Sequence, residues 1–279
     1  MESKTRASWI APTAICAALY VVAIIVTAPI PTPWGVGQFR PGVVIPAFFA
    51  VISGPYVAAI GAAIGTFVGD FYLTSLGLTN PLLSLIAGVP GNFVGFIILG
   101  WLVKRYRSWI GFIWSSFIGI AVGNLVAASG VVAYFTTLVG GNLWAEWPLD
   151  VKMATIFGLT LFWMATMLPF VIPIVPALVR GVSAFRGRLG RSIDLPIWGD
   201  TNFFKLILSS LFIAVILGFI FIGVMFTPIG EIMFSRIVSP EIAFWVKILT
   251  LIASISVLVF GPLIPLIAGS DARTKSIKR

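Results

Sequence analysis

Long uncharged runs of mostly apolar residues alternate along the chain with short basic clusters. The longest run, Ser108–Ala145, contains no Asp, Glu, Lys or Arg. About 20 apolar residues in a helix span the roughly 30 Å hydrocarbon core of a bilayer. The pattern therefore predicts an all-α polytopic membrane protein, located in the cell membrane with several passes. Six further runs are also free of charge: Ala7–Phe39, Pro41–Gly69, Phe71–Val103, Met153–Val179, Leu206–Gly230 and Ile248–Ser270.

The predicted number of spans depends on the region 41–78, because this region can form either one long helix or two. The Gly-Pro step in Ser53-Gly54-Pro55 predicts a break, since proline lacks the N–H that a continuing helix needs. If the amino terminus is cytoplasmic, two helices place the basic cluster Lys104–Arg107 inside, where Lys and Arg are enriched. We therefore predict both termini in the cytoplasm and eight spans, at about 9–29, 40–53, 56–78, 84–103, 109–136, 153–179, 203–226 and 243–268.

The predicted second span, 40–53, is too short to cross a bilayer alone. About 14 residues at 1.5 Å each give roughly 21 Å of helix. A short helix bounded by Pro and Gly is tolerated where protein or a water-filled cavity covers its ends. This predicts a cavity on the outer side, near the loop 29–40.

A basic segment divides the chain into two groups of spans. We expect a six-helix substrate-binding bundle over 1–185, a basic cytoplasmic linker over 186–202, and a two-helix hairpin with a basic tail over 203–279. The two groups show no convincing inverted repeat, which argues against a carrier built from two symmetric units.

Composition narrows the classes of function. The net charge of +9 comes from basic residues at predicted helix ends, so it indicates membrane topology and contact with lipid rather than nucleic-acid binding. The absence of histidine excludes Ser-His-Asp catalysis and His-ligated metals, and the single cysteine, Cys16, allows no intrachain disulfide. We expect no metal and no cofactor. The chain has no phosphate-binding Gly-x-x-x-x-Gly-Lys-Ser/Thr motif, so any use of ATP must come from partners.

Small residues recur at helical spacing in several spans, where they let membrane helices approach closely. Glycine ladders at Gly61/Gly65/Gly69, Gly91/Gly95 and Gly119/Gly123 favour packing within the bundle. One face of the first helix carries an alanine stripe, which is suited either to internal packing or to docking on a partner subunit. Its members are Ala7, Ala11, Ala14 and Ala18.

The spans, the alanine stripe and a set of glycines and prolines resemble the substrate-binding subunits (S components) of energy-coupling factor vitamin transporters. The resemblance covers roughly 9–185 and departs at 198–279. It implies that the alanine face meets a membrane coupling subunit that carries two ATPases. The residues that carry it are Phe39-Arg40-Pro41, Ile45-Pro46, Gly54-Pro55, Gly61, Gly65, Gly69-Asp70 and Gly88-Val89-Pro90-Gly91-Asn92.

Charged groups inside a membrane are rare and mark functional sites. Asp70 lies within the third span and would either contact a ligand or pair with Arg40 or Thr66. Arg40 opens the short second helix, where its charge and the helix N–H groups suit an anion. Snorkelling of Arg40 to the outer headgroups is the alternative.

Other polar and aromatic residues complete the predicted binding set. Asn92 and Asn124 lie within spans, where interhelical hydrogen bonds or ligand contacts would satisfy their amides. Trp163 shares a face of the sixth span with Thr160 and Met167, a pattern also typical of packing. The outer loops contribute aromatic and polar groups suited to a flat heterocycle, or to an interfacial aromatic belt: Trp34, Gln38, Trp144 and Glu146.

The residues favour a membrane subunit that binds a small water-soluble nutrient outside and delivers it inward with an ATP-driven coupling module. A free-standing carrier or channel is the alternative. A membrane-embedded enzyme fits less well, because the chain lacks histidine and its spans contain no paired carboxylates.

Overall fold

The computed structural model describes residues 2–27, 30, 32–34, 37–139, 143–189, 202–234 and 240–268. Two helices contain π-helical segments, Ser84–Gly88 within α4 and Tyr134–Leu138 at the end of α5. A short 3-10 turn, Pro41–Val43, precedes α2. The helices in this part of the chain are α1 (Glu2–Thr27), α2 (Val44–Ile52), α3 (Pro55–Thr74), α4 (Pro81–Tyr106), α5 (Trp109–Leu138), α6 (Leu149–Leu189), α7 (Phe203–Phe226), α8 (Pro228–Phe234) and α9 (Pro240–Ala268).

Seven of the described helices are long and apolar enough to cross a membrane, namely α1, α3, α4, α5, α6, α7 and α9. The segment Pro41–Ile52 is apolar but shorter, as its sequence predicts. The protein is therefore a multi-pass, all-α membrane protein.

The predicted break between the second and third spans is confirmed. Helix α2 ends at Ile52, and α3 begins at Pro55. Gly54 between them has φ of +94°, a conformation that a residue with a Cβ rarely adopts. The chain therefore reverses within two residues, and α2 packs back along α3.

The glycine ladder of α3 is the surface on which α1 packs. A Cβ added at Gly61 would lie 2.7 Å from Cys16 Sγ, and one at Gly65 would lie 3.0 Å from the carbonyl oxygen of Ala17. At Gly69 it would meet the side chain of Ile24. The prediction that these glycines serve internal packing is confirmed, since only hydrogen atoms fit at this interface.

The second pair of ladders joins α4 to α5. A Cβ at Gly123 would lie 2.8 Å from both the carbonyl oxygen of Gly91 and the Cα of Gly95. Gly119 likewise faces Gly95 and Leu99. Backbone therefore meets backbone between these helices, which fixes their relative position beside the site described below.

The final hairpin is attached to the side of the bundle. Helix α9 packs on both α7 and α6. At Gly261 of α9 the backbone lies directly against Ser210 of α7 and near Ile113 of α5. Helix α6 continues to Leu189, so the first part of the predicted linker 186–202 is helical. Residues 190–201 and the predicted basic tail after residue 268 lie outside the described residues.

One end of the bundle carries the connections 28–40, 75–80 and 139–148, and the predicted topology makes it the outer end. The described part of the loop 30–40 folds back on itself. The Thr32 N–H donates to the carbonyl of Gly37 (3.0 Å), and the Phe39 N–H donates to that of Ile30 (2.8 Å). Gly37 has φ of +76°, which a turn at this point requires.

Candidate functional site

A cavity opens among the loop 30–40 and helices α3, α4, α5 and α6, towards the outer end. It encloses about 500 Å³ of space free of protein atoms, part of it open to solvent. The structure brings six of the nine predicted binding residues together in its wall: Gln38, Arg40, Asp70, Asn92, Asn124 and Trp163. The remaining wall is formed by Gly37, Thr79, Leu83, Ser84, Ala87, Gly88, Ala127, Val131 and Met167.

An ion pair lies in this wall. Arg40 Nη2 is 2.5 Å from Asp70 Oδ1, and the side chains are 12% and 3% exposed. The second carboxylate oxygen, Oδ2, accepts a hydrogen bond from Ser84 Oγ (2.7 Å). Both oxygens of Asp70 are therefore engaged within the protein, and the pairing with Arg40 that the sequence offered as one alternative is observed.

Only part of the Arg40 guanidinium is hydrogen-bonded to neighbouring side chains. Its Nη2 also donates to Gln38 Oε1 (2.9 Å), whereas Nη1 is buried without a hydrogen-bond partner among the described residues. A buried donor left unpaired is unfavourable. Arg40 therefore lines the cavity with part of the hydrogen-bonding capacity of its guanidinium unused.

Gln38 links the loop 30–40 by hydrogen bonds to the connection 75–80 and to α6. Its Nε2 donates to the carbonyl of Leu78 (3.1 Å), and its own backbone carbonyl accepts a hydrogen bond from Trp163 Nε1 (3.1 Å). Gly37 lies close to the indole of Trp163, since a Cβ there would be 2.8 Å from Cζ2. Trp163 of α6 therefore forms part of the wall and also fixes the neighbouring residues Gly37 and Gln38 beside it.

The two asparagines differ in what they bind. Asn92 accepts a hydrogen bond from the Tyr20 hydroxyl (3.0 Å) and donates to the carbonyl of Gly88 (2.8 Å). Asn124 Nδ2 has a weaker contact, 3.4 Å from Met167 Sδ. The carbonyl oxygen of Asn124 has no hydrogen bond within the described part of the chain. Asn92 is thus mainly structural, and Asn124 has hydrogen-bonding capacity to spare.

The π-helical segment of α4 shapes this side of the cavity. The Val89 N–H donates to the carbonyl of Ser84, five residues back, and Pro90 follows without an N–H of its own. A Cβ at Gly88 would lie 3.3 Å from Asp70 Oδ2. The wider turn and the glycine therefore let α4 approach Asp70 and direct Ser84 at the carboxylate. Such π segments are frequent at functional sites.

A second cavity, with about 310 Å³ of space free of protein atoms that is partly open to solvent, continues from the first towards the α4–α5 interface. The two share four wall residues, Asn92, Asn124, Ala127 and Met167. The deeper part is lined mainly by glycines and apolar side chains, including Gly95 and Phe96. The site thus combines a polar mouth with an apolar, narrow interior.

Three of the predicted binding residues lie elsewhere. Trp34 is buried against Phe162 and Phe234, away from the cavity wall. Trp144 stacks on Trp147 with ring centroids 4.5 Å apart, and Glu146 beside it is exposed. These positions remain predictions as ligand contacts.

The alanine stripe of α1 faces outward. Ala11, Ala14 and Ala18 are exposed, whereas the buried face of the helix is formed by other residues such as Cys16 and Tyr20. The side chain of Ala7 lies outside the described residues. Within the part of the chain that the structure describes, the stripe is thus not used for internal packing.

Sequence reasoning missed Tyr20 and Ser84 as wall-supporting residues, and it interpreted Met167 as packing. Each occupies an ordinary helical position whose partner lies far along the chain. The polar residues Ser84 and Tyr20 inside apolar spans were the available signal, since a buried hydroxyl needs a hydrogen-bond partner.

The fold is that of a multi-pass helical membrane protein with a partly polar cavity near one end of its bundle. A model of the family "ECF-type riboflavin transporter, S component" matches residues 4–146, just over half of the chain. The chain belongs to this family. Subunits of this kind bind a small molecule and work with a membrane coupling subunit and ATPases. The match ends before α6, so Trp163 and the final hairpin lie beyond it. No curated protein and no solved structure matches the chain.

Proposed function

We propose that this protein captures riboflavin, or a closely similar flat heterocycle, at the outer end of the bundle and delivers it inward with an ATP-driven coupling module. The observation that carries the proposal is the cavity, in which six predicted binding residues converge in a chain of the riboflavin S component family. The protein is the substrate-binding subunit in this account, and the ATPases reside in partners.

The chemistry of the wall suits such a ligand. Riboflavin has a flat ring system with carbonyl acceptors and an imide N–H, together with a hydroxylated chain. In this proposal Arg40 supplies a donor, the carbonyl oxygen of Asn124 supplies an acceptor, and the indole of Trp163 supplies an aromatic surface. The narrow glycine-lined interior favours a flat group over a bulky one.

Delivery requires contact with a coupling subunit, and we propose that α1 provides it. Ala11, Ala14 and Ala18 are exposed on one face, where small side chains allow a partner helix to approach closely. This face is distinct from the buried face that meets α3. Substrate binding and partner docking therefore use separate surfaces of the same protein.

The test has two measurements. Purified protein in detergent is titrated with riboflavin, and with thiamine as a matched water-soluble heterocycle, by following ligand fluorescence or equilibrium dialysis. Saturable binding of riboflavin at one site, with much weaker thiamine binding, supports the proposal. Absence of riboflavin binding would overturn the assigned substrate.

The second measurement addresses coupling. Uptake of labelled ligand is measured in proteoliposomes with the protein alone and with a coupling subunit and its two ATPases. Uptake that requires the module and ATP supports an S component. Uptake by the protein alone would instead establish a free-standing carrier.

A further inference from the structure

The C-terminal hairpin reaches the loop 30–40, from which Gly37, Gln38 and Arg40 line the cavity. Helix α8 connects α7 to α9 and packs on α6. Phe234, the last residue of α8, contacts Trp34 of the loop 30–40 with ring centroids 5.6 Å apart and planes inclined at 31°. Trp34 is thus covered by an element that lies beyond the region matched by the family model.

Helix α6 encloses the other side of the Trp34 ring. Phe162 meets it edge-on, with centroids 6.4 Å apart and planes inclined at 77°. A Cβ at Gly158 would lie 2.7 Å from Trp34 Cζ2, so glycine leaves the room that the indole fills. The indole N–H has no hydrogen-bond partner among the described residues. Packing against aromatic neighbours therefore holds this side chain.

Phe234 is itself fixed within the hairpin. The Nζ of Lys247, on α9, lies 5.6 Å from the centroid of the Phe234 ring, within the range of a cation–π interaction. The hairpin is anchored to the bundle where Gly261 meets Ser210. Phe234, which packs against Trp34, is therefore connected through α9 to the core of the bundle.

Trp34 belongs to the same loop as the binding residues Gln38 and Arg40. Two backbone hydrogen bonds, Thr32 to Gly37 and Phe39 to Ile30, join its arms. A movement of the described part of the loop as one body therefore changes the contact between Trp34 and Phe234. The contact lies outside the cavity wall, so its effect on a ligand is exerted through the loop.

We propose that Phe234 is a positioning residue for substrate binding, which through Trp34 holds the described part of the loop, residues 32–34 and 37–40, at the cavity. The C-terminal hairpin thereby slows the release of bound substrate. This inference rests on the proposed function for its substrate, but the contact itself is independent of it.

The first measurement needs no ligand. Thr32 is 2% exposed, so a cysteine placed there reacts with a maleimide only when the loop opens. In a Cys16→Ala background, Thr32→Cys is labelled with and without Phe234→Ala. We expect labelling about 3- to 10-fold faster with Phe234→Ala, the range expected for loss of one aromatic pair. Equal labelling rates would overturn the proposal.

The second measurement is the rate of riboflavin release, followed by stopped-flow fluorescence. We expect Phe234→Ala to release the ligand faster by a similar factor, and Phe234→Leu, which keeps apolar bulk, to lie between it and the parent. Phe226→Ala is the matched control, because Phe226 of α7 is 74% exposed. Its release rate is expected to equal that of the parent. An unchanged rate in Phe234→Ala would overturn the proposal.

The two measurements separate the possible failures. If the parent binds no riboflavin, the proposed substrate is wrong and the labelling experiment still decides the role of Phe234. If Phe234→Ala does not fold, Phe234→Leu is used in both measurements, with a smaller increase expected. Equal behaviour of Phe234→Leu and the parent would then overturn the proposal.

Discussion

Arg40 and Asp70, thirty residues apart in sequence, form a buried ion pair in the wall of the cavity. The carboxylate is held on its other side by Ser84, and the guanidinium is held by Gln38. Asp70 therefore orients and neutralises Arg40, while Nη1 is left without a hydrogen-bond partner among the described residues. The pair links the loop 30–40 to α3 and, through Ser84, to α4.

Removing the charge of only one member of this ion pair should destabilise the protein strongly. Asp70→Asn leaves the Arg40 charge buried without compensation, and we expect a loss of about 3–5 kcal/mol in the free energy of unfolding. Adding Arg40→Met to Asp70→Asn removes the unpaired charge and should restore much of that loss. Denaturant unfolding in detergent measures both. A further loss of stability in the double variant would contradict the pairing as described.

Arg40→Lys separates the role in pairing from the role in ligand binding. Lysine retains the positive charge for Asp70 but lacks the planar fork and the additional N–H donors of the guanidinium. We expect riboflavin affinity to fall about ten- to a hundred-fold, as for the loss of a hydrogen bond to a charged group worth about 1.5–3 kcal/mol. Thermal stability should stay near that of the parent. Parent-like affinity would limit Arg40 to a structural role.

The glycine contacts between α4 and α5 make a sharp prediction about packing. Gly123→Leu drives a side chain into the backbone at Gly91 and Gly95, and overpacking of this kind costs about 1–3 kcal/mol or more. Gly223→Leu in α7 is the control, because a Cβ there meets no atom within 4 Å. Thermal unfolding of both variants should show a lower midpoint only for Gly123→Leu. Equal midpoints would mean that the helices are farther apart than described.

The alanine stripe can be tested without disturbing the cavity. Ala14→Leu adds bulk to the exposed face of α1, so we expect loss of ATP-dependent uptake with unchanged riboflavin binding. Ala177→Leu, at an exposed alanine of α6, makes the same change on another helix and should leave uptake intact. If Ala14→Leu abolished binding together with uptake, the stripe would belong to the substrate-binding bundle itself.

Much of the fold could be predicted from the chain because membrane spans obey local rules. The uncharged runs predicted the membrane-spanning helices, and the Gly54-Pro55 step predicted the break before α3. The residues at which the helices end were less predictable from the sequence. The third span was expected to reach residue 78 but ends at Thr74, because Gly77, with φ of +70°, turns the chain beyond it.

The site could be predicted in part, for a related physical reason. Buried polar residues such as Asp70 and Asn124 are conspicuous in apolar spans, so the sequence indicates them directly. A tryptophan, by contrast, does not stand out in an apolar sequence, so the sequence does not indicate whether it lines a site or packs elsewhere. Trp34 packs against Phe234, two hundred residues later in the chain, and Trp144 stacks on Trp147 outside the wall. Such contacts depend on tertiary packing that no local pattern encodes.

The most direct test of the central claim is the dissociation constant of riboflavin for Asn124→Leu. This substitution replaces the amide with an apolar side chain at a position shared by both cavities, where it removes an acceptor from the wall. Ser129→Leu is the matched control, since Ser129 is an exposed residue of the same helix. We predict about tenfold or greater weakening of binding for Asn124→Leu and parent-like binding for Ser129→Leu. Parent-like binding by Asn124→Leu would contradict the assignment of this cavity as the substrate site.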